Sequence, residues 1–330
     1  MTQLSTATAS PSDKRTGEQV SRMEQGIQPP TKFRRILVAT DFSGASHAAL
    51  NMALRLSLNF QAHLSLLHVF EYAEAASPTA GGTVEGLNAL EELALERLNH
   101  SLLEVKETGV KASIVTKTGC APNAILETVI AEKIDLVILG TNGFRGVERL
   151  AHGSTAEAVL RKSTCPVLTI GPHATHCMTI KPPEGAIVFA TDFNRASAPA
   201  IGYAASFAHL LEAQLRCLHV LPRMVEGNSE DDVVPAIIKV ALHHVANECK
   251  AVGQDTVCDI GYGCDVSYAV VDYAKQYDAQ LIVLGVRQTS MLASHLPAHI
   301  AYRIITEAPC PVLTIAVEHN NDAKLSAACM

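Results

Sequence analysis

The sequence predicts an α/β protein built from two tandem, doubly wound, parallel five-stranded sheets. Three observations lead there. The first is an internal repeat. Residues 36–70 read ILVATDFSGASHAALNMALRLSLNFQAHLSLLHVF, residues 187–221 read IVFATDFNRASAPAIGYAASFAHLLEAQLRCLHVL, and the two align without a gap. ATDF recurs at Ala39–Phe42 and Ala190–Phe193, LHV at Leu67–Val69 and Leu218–Val220, and each copy closes on CPVLTI, at Cys165–Ile170 and Cys310–Ile315. An offset of about 150 residues makes each copy a whole domain rather than a short solenoid unit. The second is the alternation of short β-rich runs with helical periods, which calls for parallel strands joined by right-handed crossovers. The third is that the strands are apolar throughout, as strands covered by helices on both faces are.

Within the first copy the elements follow in order. Ile36–Thr40 is a buried strand ending at polar Asp41. Ser43–Asn59 has Ala45, Ala49, Met52, Ala53 and Leu56 at helical spacing, with Ser43 placed to cap it. His63–Phe70 is the second strand. Residues 86–107 form a long amphipathic helix with Leu87, Leu90, Leu93, Leu98, Leu102 and Val105 as its expected buried positions, stopped by Gly109. Ser113–Lys117 is the third strand, Pro122–Lys133 a helix with proline in its first turn, and Leu136–Gly140 the fourth strand. Ser154–Lys162 is a helix and Val167–Ile170 the last strand. Open sheets of this kind bind ligands beyond the carboxyl ends of their strands, where strand order reverses. Asp41 and Gly140 each close a strand and therefore face one crevice.

Composition agrees. The chain has 330 residues, 48% hydrophobic and 18% charged, enough apolar material for two cores and unlike a disordered chain. A formal net charge of -7 opposes a general nucleic-acid or membrane-surface role. There is no apolar run of membrane-spanning length and no signal-peptide core at the N-terminus. Nine cysteines without a CxxC pair read as reduced thiols packed like small apolar residues, so a cytoplasmic location is expected. The expected organisation is a tail over 1–32, a domain over 33–171, a linker over 172–185, a second domain over 186–317 and a tail over 318–330. His173, His176 and Cys177 fall in the linker; without a fourth ligand in reach they read as polar linker residues.

The chemistry concentrates after the fourth strand, in GTNGFRGVERLAHGSTAEAVL from Gly140. Glycines let backbone N–H groups approach an anion without a Cβ in the way. Ser154 and Thr155 open a helix whose free N–H groups and positive dipole end suit a phosphate. Arg145 and Arg149 add positive charge. There is no GxxxxGK[ST] string, so this is not a Walker A loop, and the acidic residue of a dinucleotide site is missing.

The spacing G-x-x-G-x(9)-G-S resembles the ATP-binding signature of the universal stress protein family, and ATDFS, the long second helix and the CPVL strand are similar to that family too. The resemblance covers nearly all of 33–316 as a tandem pair. It implies a Rossmann-like fold of the adenine nucleotide α-hydrolase type. It further implies an adenosine site at Thr40, Asp41 and Val69, with ribose and phosphates held by Gly140, Gly143, Gly153, Ser154 and Thr155; Ala39, Thr141 and Arg145 complete the expected nucleotide-binding set. ATP, with Mg²⁺ carried on its phosphates, is the implied cofactor, and the two domains are expected to pair within the chain through their CPVLTI strands. Further homodimerisation and an unidentified protein partner belong to the same expectation.

The second copy departs from the pattern. Its stretch reads GVRQTSMLASHLPAHIAYRI from Gly285. Gln288 replaces Gly143, and Ala298 and His299, preceded by Pro297, replace Gly153 and Ser154. His295 and His299 read as solvated loop histidines. One nucleotide per chain is expected, in the N-terminal half. Asp41 has no second carboxylate beside it in sequence, and Asp135 starts the fourth strand at the opposite end of the sheet, so no catalytic residue is assigned. The expected function is that of an ATP-binding regulatory protein of the stress response. The alternatives are a slow ATPase and a protein-interaction module with a vestigial nucleotide site.

Overall fold

A computed structural model of the chain describes residues 33–71, 84–141, 155–174, 185–193, 198–222, 233–251, 253–287 and 297–317. In the first half these form β1 (Arg35–Ala39), α1 (Gly44–Phe60), β2 (His63–Phe70), α2 (Val84–Glu107), β3 (Ala112–Thr118), α3 (Ala121–Ala131), β4 (Leu136–Gly140), α4 (Thr155–Lys162) and β5 (Val167–Ile170). The second half repeats the order: β6 (Ala186–Ala190), α5 (Ala198–Leu210), β7 (Gln214–Pro222), α6 (Val233–Ala251), β8 (Thr256–Gly263), α7 (Val266–Gln276), β9 (Leu281–Arg287), α8 (Pro297–Glu307) and β10 (Val312–Val317). The expected tails and most of the linker lie outside the described residues.

Each half has its strands in the order 3-2-1-4-5, all parallel, with the reversal between its first and fourth strands. The two sheets do not merely stack. They join edge to edge into one ten-stranded sheet, β3-β2-β1-β4-β5-β10-β9-β6-β7-β8, through the antiparallel pair β5–β10. The register of that pair is Val312↔Thr169, Leu313↔Leu168 and Thr314↔Val167. Two copies of one segment paired about a central leucine are what a twofold axis through the seam requires.

Helices cover both faces, and each face carries one core that runs across both halves. On one side Ile36, Val38, Leu64 and Leu66 pack with Ile187, Phe189, Leu215 and Leu313. On the other Leu37, Val137, Val159 and Leu160 pack with Val188, Ile282, Ile304 and Ile305. Phe33 and Phe60, 5.1 Å apart, meet Tyr203 and Phe207 of the second half at ring separations of 6.0 to 6.3 Å, in an aromatic cluster that closes the first face.

The seam is symmetric in sequence but not in its hydrogen bonds. Thr314 donates from Oγ1 to the Val167 carbonyl at 3.1 Å. The Thr169 hydroxyl, at the corresponding place, is buried and meets no hydrogen-bond partner among the described residues. A buried hydroxyl without a partner keeps its desolvation penalty. Thr169→Val is therefore expected to raise stability by about 1 kcal/mol, read as a higher denaturation midpoint, whereas Thr314→Val is not expected to.

One sequence expectation is corrected here. Leu90 and Leu93 of α2 are 62% and 46% exposed rather than buried, while Leu98 and Val105 are buried as expected, with Ala94 joining them. Leu102 is half-buried, and nothing is described of the Leu87 side chain. The 24-residue helix is longer than the strip of β2 and β3 that it covers, so only its C-terminal part finds apolar partners.

Candidate functional site

The carboxyl ends of β1 and β4 flank the reversal point, where the sequence-assigned residues Ala39, Thr40, Asp41, Gly140 and Thr141 stand, and Val69 lies next to them near the end of β2. Thr155 opens α4 after β4 and is exposed. Gly143, Arg145, Arg149, Gly153 and Ser154 lie outside the described residues, which include only Gly140, Thr141 and Thr155 of the expected phosphate-binding segment.

The turn after β1 is built from short polar side chains. Phe42 has φ 62, a left-handed conformation rare for a bulky residue. Its N–H donates to Thr40 Oγ1 at 3.0 Å, and the Ser43 N–H donates to Asp41 Oδ1 at 3.0 Å. Ser43 caps α1 by accepting from the Ser46 N–H, as the sequence predicts. Thr40 Oγ1 in turn donates to Ser46 Oγ at 3.2 Å. Asp41 thus sits at a helix N-terminus with its carboxylate hydrogen-bonded. Burial acts to raise its pKa, but hydrogen bonding by Ser43 and Ser46 outweighs this and holds the carboxyl below its ordinary value. The charge interacts favourably with the helix dipole.

His68 fastens this turn to β2. Its Nδ1 lies 2.8 Å from the Thr40 carbonyl oxygen. A carbonyl only accepts, so Nδ1 carries the proton. The imidazole also packs against the Phe42 ring at 4.7 Å and the Phe70 ring at 4.8 Å. Arg97 of α2 lays its guanidinium over Phe42 at 5.6 Å, bringing a cation to the strand end that bears Asp41. Sequence reasoning missed His68, Phe42 and Arg97. The repeated LHV and ATDF were visible signals for the first two; Arg97 had none.

The second half builds the same latch. Phe193 has φ 57 and donates its N–H to Thr191 Oγ1 at 3.0 Å. His219 Nδ1 is 2.8 Å from the Thr191 carbonyl, and its ring lies 4.6 Å from Phe193. What recurs between the halves is therefore the geometry that presents the aspartate, Asp41 or Asp192.

Beside Asp41 stands an apolar wall. Ala39 and Val69, near the ends of β1 and β2, are partly buried and, like Val115 of β3 and Leu126 of α3, pack against the core of that face. The strand ends thus offer apolar contact from Ala39 and Val69 and a hydrogen-bond acceptor in the Asp41 carboxylate. Gly140 has a packing duty of its own. A Cβ there would stand 2.1 Å from the Ala45 carbonyl oxygen and 2.7 Å from the Ser46 nitrogen. The missing side chain lets the end of β4 touch the first turn of α1. Asp135, at the other end of β4, accepts from the N–H groups of Arg34 and Arg35 at 2.8 and 3.1 Å, well away from the crevice.

In the second half α8 already begins at Pro297, so Ala298 and His299 are helical residues. Gln288 and His295 lie outside the described residues. None of the described helices is long and apolar enough to cross a membrane.

Strand order, the crevice and the duplicated strand-end latch define a tandem, doubly wound α/β protein. The family model described as the universal stress protein family matches residues 32–171 and again 185–316. The chain belongs to the universal stress protein family, with two copies of its domain. The universal stress protein MJ0531 of Methanocaldococcus jannaschii is 33% identical over 143 residues, 42% of this chain and 82% of that protein. Universal stress protein YxiE of Bacillus subtilis is 31% identical over 146 residues, 42% of this chain and 99% of its own length. A solved universal stress protein from Archaeoglobus fulgidus matches across both halves, with a TM-score of 0.64 at 20% identity, covering 86% of this chain and 98% of that one. That likeness speaks to the fold.

Proposed function

We propose that the chain is an ATP-binding regulator of the stress response, holding one nucleotide, with Mg²⁺ on its phosphates, in the N-terminal half. The observation that carries the reading is the latch: Thr40, Phe42 and His68 present a hydrogen-bonded Asp41 beside the apolar wall of Ala39 and Val69. This suits an adenosine whose phosphates lead into the glycine-bearing segment that opens at Gly140 and Thr141 and ends at Gly153, Ser154 and Thr155. In that arrangement Asp41 accepts from a ribose hydroxyl, and the loop N–H groups, the α4 N-terminus and Arg145 meet the phosphates. The second half keeps Asp192 and its latch but has His299 where the first has Ser154, which supports a single occupied site. Nucleotide state is then signalled to a protein partner, or to a second copy of the chain, without turnover.

Calorimetric titration of the full chain with MgATP tests this. The expected stoichiometry is one, abolished by Gly153→Val and weakened by about tenfold in Asp41→Asn through loss of a charge-assisted hydrogen bond. Asp192→Asn is expected to leave binding unchanged. Absence of heat at millimolar ATP would sink the reading, and a stoichiometry of two would sink its single-site part. Phosphate release that vanishes in Gly153→Val would replace it with the slow ATPase.

Asp41 also sets a pH dependence. A carboxyl held below its ordinary 3.8 in the folded chain contributes stability that is present above that value and is lost as pH falls through the lowered one. The stability difference between the wild type and Asp41→Asn is therefore expected to be constant at neutral pH and to close in acid, below about pH 4. A difference that persists at pH 2 would contradict it.

A further inference from the structure

Three thiols converge under α6 in the second half. Cys217 of β7 and Cys258 of β8 are direct partners in the parallel register, and both pack in the core on one face of the sheet. Cys249, on α6, lies over the same patch and interacts with Cys258 and with the Thr256 hydroxyl. Cys217 and Cys249 are buried and Cys258 is half-buried. Cys258 donates from Sγ to the Leu242 carbonyl of α6 at 3.4 Å.

Packing does not demand sulfur at these places, because the first half fills them with aliphatic side chains. Leu66 aligns with Cys217 in the repeat. Ile114 is the strand partner of Leu66 as Cys258 is of Cys217. Val105 and Cys249 each stand four residues before the left-handed glycine that follows the helix, Gly109 with φ 88 and Gly253 with φ 81. Leu66, Val105 and Ile114 have become three cysteines together.

Adjacent strands lie about 4.8 Å apart, inside the roughly 4.4–6.8 Å between Cα atoms that a disulfide spans. β8 is the outermost strand of the sheet, so Cys258 is the member of the group that a small oxidant reaches. We propose that Cys217 and Cys258 are a peroxide-sensitive dithiol, in which Cys258 is oxidised first and Cys217 resolves it into a disulfide. The Cys258 thiolate attacks one oxygen of a hydroperoxide, the O–O bond breaks, and Cys258 becomes a sulfenic acid with release of water or alcohol. The Cys217 sulfur then attacks the Cys258 sulfur, the S–O bond breaks, and water leaves. Two thiols and one peroxide yield one disulfide. The neighbouring thiols favour this order, because Cys217 holds Cys258 below the ordinary thiol value while Cys258 and burial push Cys217 up. A bridge takes Cys258 away from the Leu242 carbonyl, so oxidation loosens α6 over the sheet edge.

The test is thiol mapping on the full chain. After one equivalent of hydrogen peroxide, free thiols are alkylated and the digest is analysed by mass spectrometry. A Cys217–Cys258 linked peptide is expected, lost on treatment with dithiothreitol. Cys165 and Cys310 serve as buried internal standards, and Cys165 is well suited because burial pushes its thiol up to about 11. In Cys217→Val, whose side chain is of the kind the first half tolerates there, a dimedone adduct at Cys258 is expected to rise at least about tenfold over that at Cys165. A Cys249–Cys258 bridge as the main product, Cys258 oxidised no faster than Cys165, or sulfinic acid at Cys258 without any bridge would each overturn the proposal.

Discussion

Gly171→Ala is expected to lower the stability of the whole chain by about 2–4 kcal/mol, with the loss spread over both halves. Gly171 follows β5, and a Cβ there would stand 2.1 Å from the Ile305 carbonyl oxygen of α8, an atom of the second half's backbone. Backbone cannot swing aside as a side chain can, so either α8 shifts or β5 does. Ile305 is fully buried in the core that both halves share, as is Val159 of α4, so neither move is local. The β5–β10 register lies immediately beside the clash. Because the two cores are continuous across the seam, the wild-type chain should unfold in one cooperative transition. Circular dichroism against urea checks both statements. A midpoint unchanged in Gly171→Ala, or a drop confined to one of two resolved wild-type transitions, would contradict them.

Gly140→Ala is expected to cost at least about 3 kcal/mol and to abolish nucleotide binding as a consequence of misfolding. Three backbone atoms of α1 lie within 2.7 Å of the place where the Cβ would go. The helix would have to lift from β4, and with it the Thr40–Ser46 contact and the Ser43 cap. Gly153→Val separates folding from binding: it should remove MgATP binding at near-native stability. If Gly140→Ala instead keeps the wild-type midpoint while losing the nucleotide, its role is contact with the ligand alone, and the packing argument fails.

The fold was legible because the repeat, the apolar strands and the glycines and prolines that end elements all act locally. Hence His63–Phe70, Leu136–Gly140 and Val167–Ile170 match residue for residue. The burial of α2 was not, since helical periodicity marks an apolar stripe but not how far the sheet beneath it extends. Leu90 and Leu93 satisfy the period and still face water. The site was legible only in part. Asp41 stands out in the sequence as the polar residue that closes the first strand, whereas Val69 enters only through the family resemblance. His68 was read as one letter of a repeated tripeptide, because its bond to the Thr40 carbonyl joins residues 28 apart and has no local pattern. Arg97 reaches Phe42 from a different element altogether. Likewise Gly140 was read for what its backbone could offer an anion, while its closest neighbour proved to be a helix.

The seam between β5 and β10 changes how the two halves can vary. In a pair of identical chains joined about such an axis, every substitution is made twice, so a site can be altered only by altering both. A single chain carrying both sides escapes that rule. Thr169 and Thr314 occupy one place in the seam and meet different surroundings. Ser65 hydrogen-bonds Glu132 at the end of α3, where its counterpart Arg216 stacks on Tyr277 at the end of α7. Three aliphatic residues in one half are three thiols in the other. Fusion frees each half to specialise while the other supplies the surface that completes its core.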